Sequence, residues 1–198
     1  MKTNSQIRAA ARAQLGGHIF AEGWLNALLL CAGVSIVLSF ASSFLIGIAL
    51  YGPAAFSLSY IFMGMARGKT KIDYMDMKQG FLNGQFVRSF LLWLLQGLFV
   101  FLWSLLLVIP GIIKSYSYRM AFYIAADHPE YSPTECLKAS CEMMNGHKLR
   151  AFCMDVVMAL WSLAGSCVCG IGAFFVMPYQ EASFANLYEE IKNASTAA

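Results

Sequence analysis

Three long stretches without a charged residue dominate the hydrophobic pattern of the chain. Residues 23–66 run for about 44 positions, and residues 89–113 and 156–180 for about 25 each. A helix that spans a membrane needs about 20 apolar residues, so the first stretch is long enough for two crossings. The pattern therefore predicts an all-α protein whose long helices lie in a membrane.

A series of elements recurs three times, in residues 4–67, 72–127 and 132–192. Each series has an amphipathic helix, a glycine, a long apolar helix, a proline, and a shorter helix that contains Ser and Tyr. Glycine and proline interrupt helices in any helical protein, so the recurrence fits either chance or common ancestry of three repeats. Proline removes a backbone donor from a helix. The predicted helix breaks are Pro53, Pro110 and Pro178.

The clearest helix start lies in the third series. Ser132 and Glu135 have the spacing of a capping box, and Pro133 between them occupies the first helical position. Gly146 is the predicted stop, because glycine adopts the left-handed conformation that ends many helices.

Composition and charge narrow the class of protein. Hydrophobic residues make up 59% of the chain and charged residues 13%, with a formal net charge of +3. Soluble domains carry about 25% charged residues, so this composition excludes both a soluble globular domain and a disordered chain. We expect residues 1–198 to form a single integral membrane domain.

The distribution of basic residues predicts a topology. If each series makes one helix hairpin, the protein is a polytopic transmembrane bundle with about six membrane-embedded helices and amphipathic interfacial helices. All basic loops then fall on one side, which the positive-inside rule assigns to the cytoplasm together with both termini. The helices after the three prolines are only about 15 residues long in this interpretation, so four crossings remain an alternative.

Small residues recur at every fourth position of the first apolar stretch. In lipid, small side chains mark the faces where helices approach closely, so this stripe predicts a helix-packing face. Its members are Ala27, Cys31, Ser35, Ser39, Ser43 and Gly47.

Four ionisable residues lie within or beside the apolar stretches, where charge is tolerated mainly when it is paired. Lys114 and Glu181 stand at similar distances after their prolines, and Arg119 and Asp155 match in depth. We predict two intramembrane ion pairs, Lys114–Glu181 and Arg119–Asp155, that line a polar interior. They act either as structural links between hairpins or as part of a substrate site.

Motifs for catalysis and cofactors are not found in the sequence. It contains no phosphate-binding loop, zinc-protease helix or nucleophile elbow, and the six cysteines form no C-x-x-C pair. We predict no catalytic residue, metal site or cofactor, and no nucleic-acid binding, because the basic residues flank membrane segments.

Several motifs stand in a fixed order along the chain. They are Ile109-Pro110-Gly111-Ile112-Ile113-Lys114, Tyr116-Ser117-Tyr118, Asp127-His128-Pro129, Ser140, Met144-Asn145-Gly146-His147-Lys148, Pro178-Tyr179 and Tyr188, with Gly52-Pro53 and Ala9 to Arg12 upstream. Together they resemble the DUF975 family of bacterial integral membrane proteins, and the likeness covers most of the chain. The resemblance implies a bacterial polytopic membrane protein of uncharacterised function, and it supplies no catalytic residues. Arg119 departs from the family pattern, in which an uncharged residue is expected.

These features predict a multi-pass protein of the bacterial cytoplasmic membrane with a non-enzymatic accessory, scaffold or assembly role. Its expected partners are the lipid bilayer and other membrane proteins or further copies of the chain. The alternative is a small transporter, or a protein that handles a solute, peptide or lipid at a central polar site. A lipid-acting enzyme that uses the interior carboxylates is a third hypothesis.

Overall fold

The structure is a computed structural model. It describes residues 3–15, 22–42, 46–69, 72, 74–82, 84–169 and 172–196, and for residues 22, 37–42, 46–48, 166–169, 172–175 and 196 it describes the backbone alone. The chain divides into two compact units. Unit 1 comprises Met1–Val37, Ile61–Tyr74 and Arg150–Ala198, and unit 2 comprises Leu38–Tyr60 and Met75–Leu149.

The described residues contain helices and no strand. The all-α prediction is therefore confirmed for this part of the chain. The helices are α1 (Asn4–Gln14), α2 (Glu22–Ser42), α3 (Ile46–Ala66), a 3₁₀ helix (Tyr74–Gly80), α4 (Gln85–Leu106), α5 (Val108–Ser117), α6 (Ala121–Asp127), α7 (Pro133–Met143), α8 (Lys148–Cys169) and α9 (Gly172–Thr196).

Helix α1 is amphipathic, and its apolar face is covered by protein. Thr3 and Gln6 form a capping box at its start. Ile7, Ala11 and Leu15 recur at helical spacing and are buried, and α1 packs against α9. Packing against α9 thus covers the apolar face of α1, and the interfacial position predicted for the amphipathic helices stays a prediction.

The predicted break at Pro53 is wrong, because α3 continues through this proline. The chain instead leaves α2 after Ser42 and starts α3 at Ile46, so the returning helix has 21 residues rather than about 15. Proline costs a helix one backbone hydrogen bond. Pro53 is fully buried, and packing around it keeps the helix continuous.

Pro178 likewise lies inside a helix, the 25-residue α9, so the predicted break there is also wrong. Pro110 occupies the first turn of α5, where a missing N–H costs nothing, and the break falls three residues earlier, at Leu107. None of the three prolines therefore stands at the break between two helices.

Helices α4 and α5 form a tight hairpin joined by one extended residue, Leu107. Their backbones approach each other closely where Gly111 of α5 meets Ser104 of α4. A Cβ atom on Gly111 would overlap the Ser104 side chain and would stand 2.8 Å from its Cα. Glycine at this position is therefore a requirement of the hairpin.

The helical segment that follows the turn of this hairpin is interrupted between α5 and α6. The Ser140 hydroxyl of α7 donates to the Ser117 carbonyl oxygen at 2.7 Å and accepts from the Met120 N–H at 3.2 Å. All three groups are buried. A single serine thus pairs backbone groups on both sides of the interruption, where no helical partner exists.

Helix α7 begins as the sequence predicts. Ser132 and Glu135 form the capping box, and Pro133 is the first helical residue. The hydrogen bond from the Ser132 N–H to the Glu135 carboxylate is the main cause that lowers the pKa of Glu135. Gly146, after the helix, has a φ of 80°, as predicted for a glycine stop.

Two of the described helices are long and apolar enough to cross a membrane. They are residues 49–66 within α3 and the whole of α4, with 18 and 22 residues. In the first, 56% of the residues are buried, as in the core helix of many soluble proteins, whereas in α4 only 11% are buried. An apolar helix that the chain leaves uncovered requires another apolar environment.

We predict that G111A destabilises the α4–α5 hairpin by about 1–3 kcal/mol, because the added methyl overpacks a close helix contact. The matched control is G97A in α4, where nothing lies within 4 Å of the added methyl. The measurement is the thermal unfolding temperature of the detergent-solubilised protein. Equal unfolding temperatures for the two variants would contradict the close approach.

Candidate functional site

A polar cleft of about 630 Å³ opens in unit 1 beside the second half of α9. Its lining combines small and apolar residues with one arginine, two glutamates and two asparagines. The cleft is thus formed where α1, the end of α3 and α9 come together. Its lining residues are Ile7, Ala10, Ala66, Arg67, Gly68, Asn186, Glu189, Glu190 and Asn193.

The first ion pair joins the end of α3 to α9. Arg67 directly follows the last residue of α3, and its Nε donates to Glu189 Oε1 at 2.6 Å. A cation is favourable at this place because the carbonyl end of a helix carries partial negative charge. The two side chains remain 37% and 19% exposed, so water screens part of their attraction.

The second ion pair is more deeply buried and includes a third partner. Arg150 of α8 donates through Nη2 to Glu190 Oε2 at 2.9 Å and through Nε to Asn4 Oδ1 at 2.7 Å. Its side chain is 16% exposed, and that of Glu190 is 11% exposed. Arg150 lies in the first turn of α8, where the helix dipole disfavours a cation, so Glu190 offsets an otherwise unfavourable placement.

Amide groups complete the attachment of α1 to α9. Gln14 and Asn186 exchange hydrogen bonds in both directions, at 3.2 and 2.8 Å. The Asn4 amide also donates to the Arg150 carbonyl oxygen at 3.2 Å. The cleft walls are therefore held by a network that ties α1, α3 and α8 to one helix, α9.

The cleft lining combines charged and amide side chains with apolar ones. Its two glutamates are each paired with an arginine, Glu189 with Arg67 of the lining and Glu190 with Arg150, which lies outside the lining. Within the described ranges, no group of three or more His, Cys, Asp or Glu side chains is placed to hold a metal ion. Paired guanidinium and carboxylate groups can hydrogen-bond a polar partner without selecting one charge sign.

The carboxylates predicted for a polar interior lie in unit 1. Asp155 of α8 accepts a hydrogen bond at 2.9 Å from Gln180 of α9, which directly precedes Glu181. This hydrogen bond links α8 to α9. The structure thus gives Asp155 an amide partner in its own unit.

The predicted cationic partners lie in unit 2. The Lys114 ammonium stands 5.1 Å from the ring centre of Trp103 and 5.9 Å from that of Tyr118. Arg119 lies at the interruption between α5 and α6, and its N–H donates to the Tyr116 carbonyl oxygen at 3.4 Å. The pairs Lys114–Glu181 and Arg119–Asp155 stay predictions.

The small-residue stripe lies partly on the buried side of α2. Ala27 and Cys31 are buried, and the hydroxyl of the half-buried Ser35 donates to the Cys31 carbonyl oxygen at 2.8 Å. The side chain of Ser39 is not described, and Ser43 lies outside the described residues. Gly47 belongs to α3, so the six positions do not share one helix as predicted.

Sequence reasoning missed the residues that hold the cleft. Arg67 and Arg150 were counted only as basic loop residues, and Glu189 and Glu190 were not considered. A usable signal was present: charges of opposite sign stand at the predicted cytoplasmic ends of three apolar helices. Burial and distance, which decide whether such charges meet, are not visible in the sequence.

Arg88 of α4 is a second missed residue. Its Nη2 donates to the His128 carbonyl oxygen at 2.7 Å and its Nε to the Tyr131 carbonyl oxygen at 2.8 Å. These two bonds hold the loop between α6 and α7, where His128 also stacks on Tyr131. Arg88 therefore has a structural role inside unit 2 in addition to its charge.

The described residues form an all-helical structure with two candidate membrane spans and a cleft lined in part by charged and amide side chains. Residues 104–195 match the family described as Protein of unknown function (DUF975), which confirms the resemblance over this segment, slightly less than half of the 198 residues. Comparisons with curated proteins and with solved structures give no match.

We predict that E190Q destabilises the protein by about 3 kcal/mol, because it leaves the nearly buried Arg150 without its counter-charge. E189Q, beside the more exposed Arg67, should cost about 1 kcal/mol or less. Thermal unfolding in detergent at two salt concentrations measures both effects. If E189Q proved as damaging as E190Q, burial would not be the deciding difference between the two pairs.

Proposed function

We propose that this chain is a multi-pass protein of the bacterial cytoplasmic membrane and that it serves as an accessory or scaffold component without catalytic activity. The observation that carries the membrane assignment is α4, a 22-residue helix with a mean hydropathy of 2.0, of whose residues only 11% are buried. Lipid is the environment that such a helix requires. The helix can lie there because its backbone groups hydrogen-bond to one another.

Helix lengths support three hairpins with about six crossings. Helices α3, α8 and α9 contain 21, 22 and 25 residues, which correspond to about 30 Å or more at 1.5 Å per residue. The argument for four crossings, which rests on returning helices of about 15 residues, therefore applies only to the second hairpin, which returns through α5 and α6 with 10 and 7 residues. Both termini then lie on the cytoplasmic side, with the basic loops.

The cleft supports a scaffold role. It lies where α1 and the end of α9 meet, which is the cytoplasmic side in this topology, and each of its glutamates is already paired with an arginine. Such a surface suits a polar segment of another membrane protein or of a second copy better than a small anion. The absence of a nucleophilic hydroxyl, thiol or amine among its lining residues supports a role in binding.

The alternative, a small transporter, is favoured by a different observation. Asp155 and Gln180 form a polar pair between α8 and α9, and ionisable groups at depth often mark solute pathways. This alternative predicts that a small polar solute raises the unfolding temperature of the wild type but not of D155N.

The topology is tested by alkaline phosphatase fusions. Fusions placed between α2 and α3, between α4 and α5, and between α8 and α9 should be active, because this enzyme folds only outside the cytoplasm. Fusions after residue 69, after residue 130 and at the carboxyl terminus should be inactive. Sodium carbonate at high pH should leave the protein in the membrane fraction. Labelling of Lys138 by an impermeant amine reagent in intact cells would contradict this topology.

The scaffold role is tested by filling the cleft. We predict that A10W, which places an indole at the cleft lining, removes partners that co-purify with the wild type in mild detergent. A9W is the matched control, because Ala9 is the neighbouring exposed residue of α1 and does not line the cleft. Both variants should unfold at temperatures near that of the wild type. Identical sets of co-purifying proteins for A10W and A9W would contradict docking in the cleft.

A further inference from the structure

The α4–α5 hairpin leaves an unusually continuous apolar surface uncovered. Five consecutive residues at its turn, from Leu105 to Ile109, are 64–74% exposed. Further exposed apolar side chains flank the turn on both helices. They are Leu98, Phe101 and Leu102 on α4 and Ile112 and Ile113 on α5.

The backbone of the turn suits surroundings with little water. A helix start normally leaves four N–H groups without a helical partner. Here the Leu107 N–H donates to the Trp103 carbonyl oxygen at 3.1 Å, and the proline at position 110 has no N–H. Only the N–H groups of Val108 and Ile109 therefore lack a helical partner. Few unsatisfied backbone groups are what a turn beside hydrocarbon requires.

A single cation interrupts this apolar surface. Lys114 is half-buried, and its ammonium lies over the rings of Trp103 and Tyr118. Because side chains of a helix tilt toward its amino terminus, Lys114 reaches back toward the turn. An ammonium has three donors, and among the described residues of unit 2 no oxygen accepts from it.

We infer that this face of the hairpin binds a phospholipid of the leaflet opposite the termini, with its phosphate at the Lys114 ammonium and its acyl chains along the exposed apolar residues. The inference rests on the proposed membrane topology. A phosphate oxygen supplies the acceptor that the rings do not, and tryptophan with lysine is typical of the level of lipid head groups.

Lipid fits this surface better than a protein partner. The exposed residues are continuous with α4, whose uncovered apolar length already requires lipid, so one environment covers both. A protein interface of this size also presents polar groups around its edge. Here the run from Leu105 to Ile113 contains no polar side chain.

The test measures binding of phosphatidylglycerol to the detergent-solubilised full chain by native mass spectrometry. K114Q should raise the apparent Kd of the first bound lipid about tenfold, since a hydrogen bond to a charged group contributes roughly that factor. K114R should bind nearly as well as the wild type. The matched control is K138Q, which removes an exposed lysine of α7 in the same unit.

Two further probes define the chemistry. Diacylglycerol with the same acyl chains should bind wild type and K114Q equally, because it lacks the phosphate. Glycerophosphate, the head group without chains, should not displace the lipid. If K114Q folds poorly, W103L retains the charge while removing the ring beneath it, and should also weaken phosphatidylglycerol binding.

Several outcomes would overturn the inference. One is unchanged lipid binding by K114Q, and another is displacement of the lipid by glycerophosphate alone. The third is an E181Q variant that loses lipid as K114Q does, because Lys114 would then act through the predicted pair with Glu181. Extraction by carbonate would instead refute the membrane assignment itself, so the two failures are distinguishable.

Discussion

Buried backbone groups must be paired, and in this protein polar side chains pair them at several of the described helix ends and interruptions. Ser140 does so at the interruption between α5 and α6, and Arg88 does so for two carbonyls of the loop before α7. The Ser57 hydroxyl of α3 accepts from the Gly80 N–H and lies 2.8 Å from the Met77 carbonyl oxygen, at the end of the 3₁₀ helix. A chain with so few polar residues therefore places them where main-chain hydrogen bonds are missing.

The presence of helices and the start of α7 were predictable from local chemistry. The capping box at Ser132 and the glycine at 146 depend on neighbours within a few residues, so the sequence contains all the information they require. The turns were not predictable in the same way. Pro53 and Pro178 interrupt a helix in water, yet burial and packing keep α3 and α9 continuous through them, and this effect involves residues distant in the chain.

The candidate site was the least predictable part. Residue type and spacing suggested which charges lie at depth, whereas the contacts that hold the cleft join α1, α3 and α8 to α9 across 40 to 172 positions. Arg150 is the clearest case: its partners Asn4 and Glu190 lie 146 and 40 residues away. Long-range burial decides such pairings, and the paired charges give unit 1 a rigid polar surface beside its apolar helices.

The hydrogen bonds made by Arg88 also bear on which part of the chain can fold by itself. The arginine lies 16 residues before the segment that matches the family, yet it holds His128 and Tyr131 within that segment. A fragment that begins at residue 104 would lack this anchor along with most of α4. The start of the family match at residue 104 is thus not the start of a segment that folds by itself. Substitutions at position 88 and in the 128–131 loop should therefore be coupled during evolution.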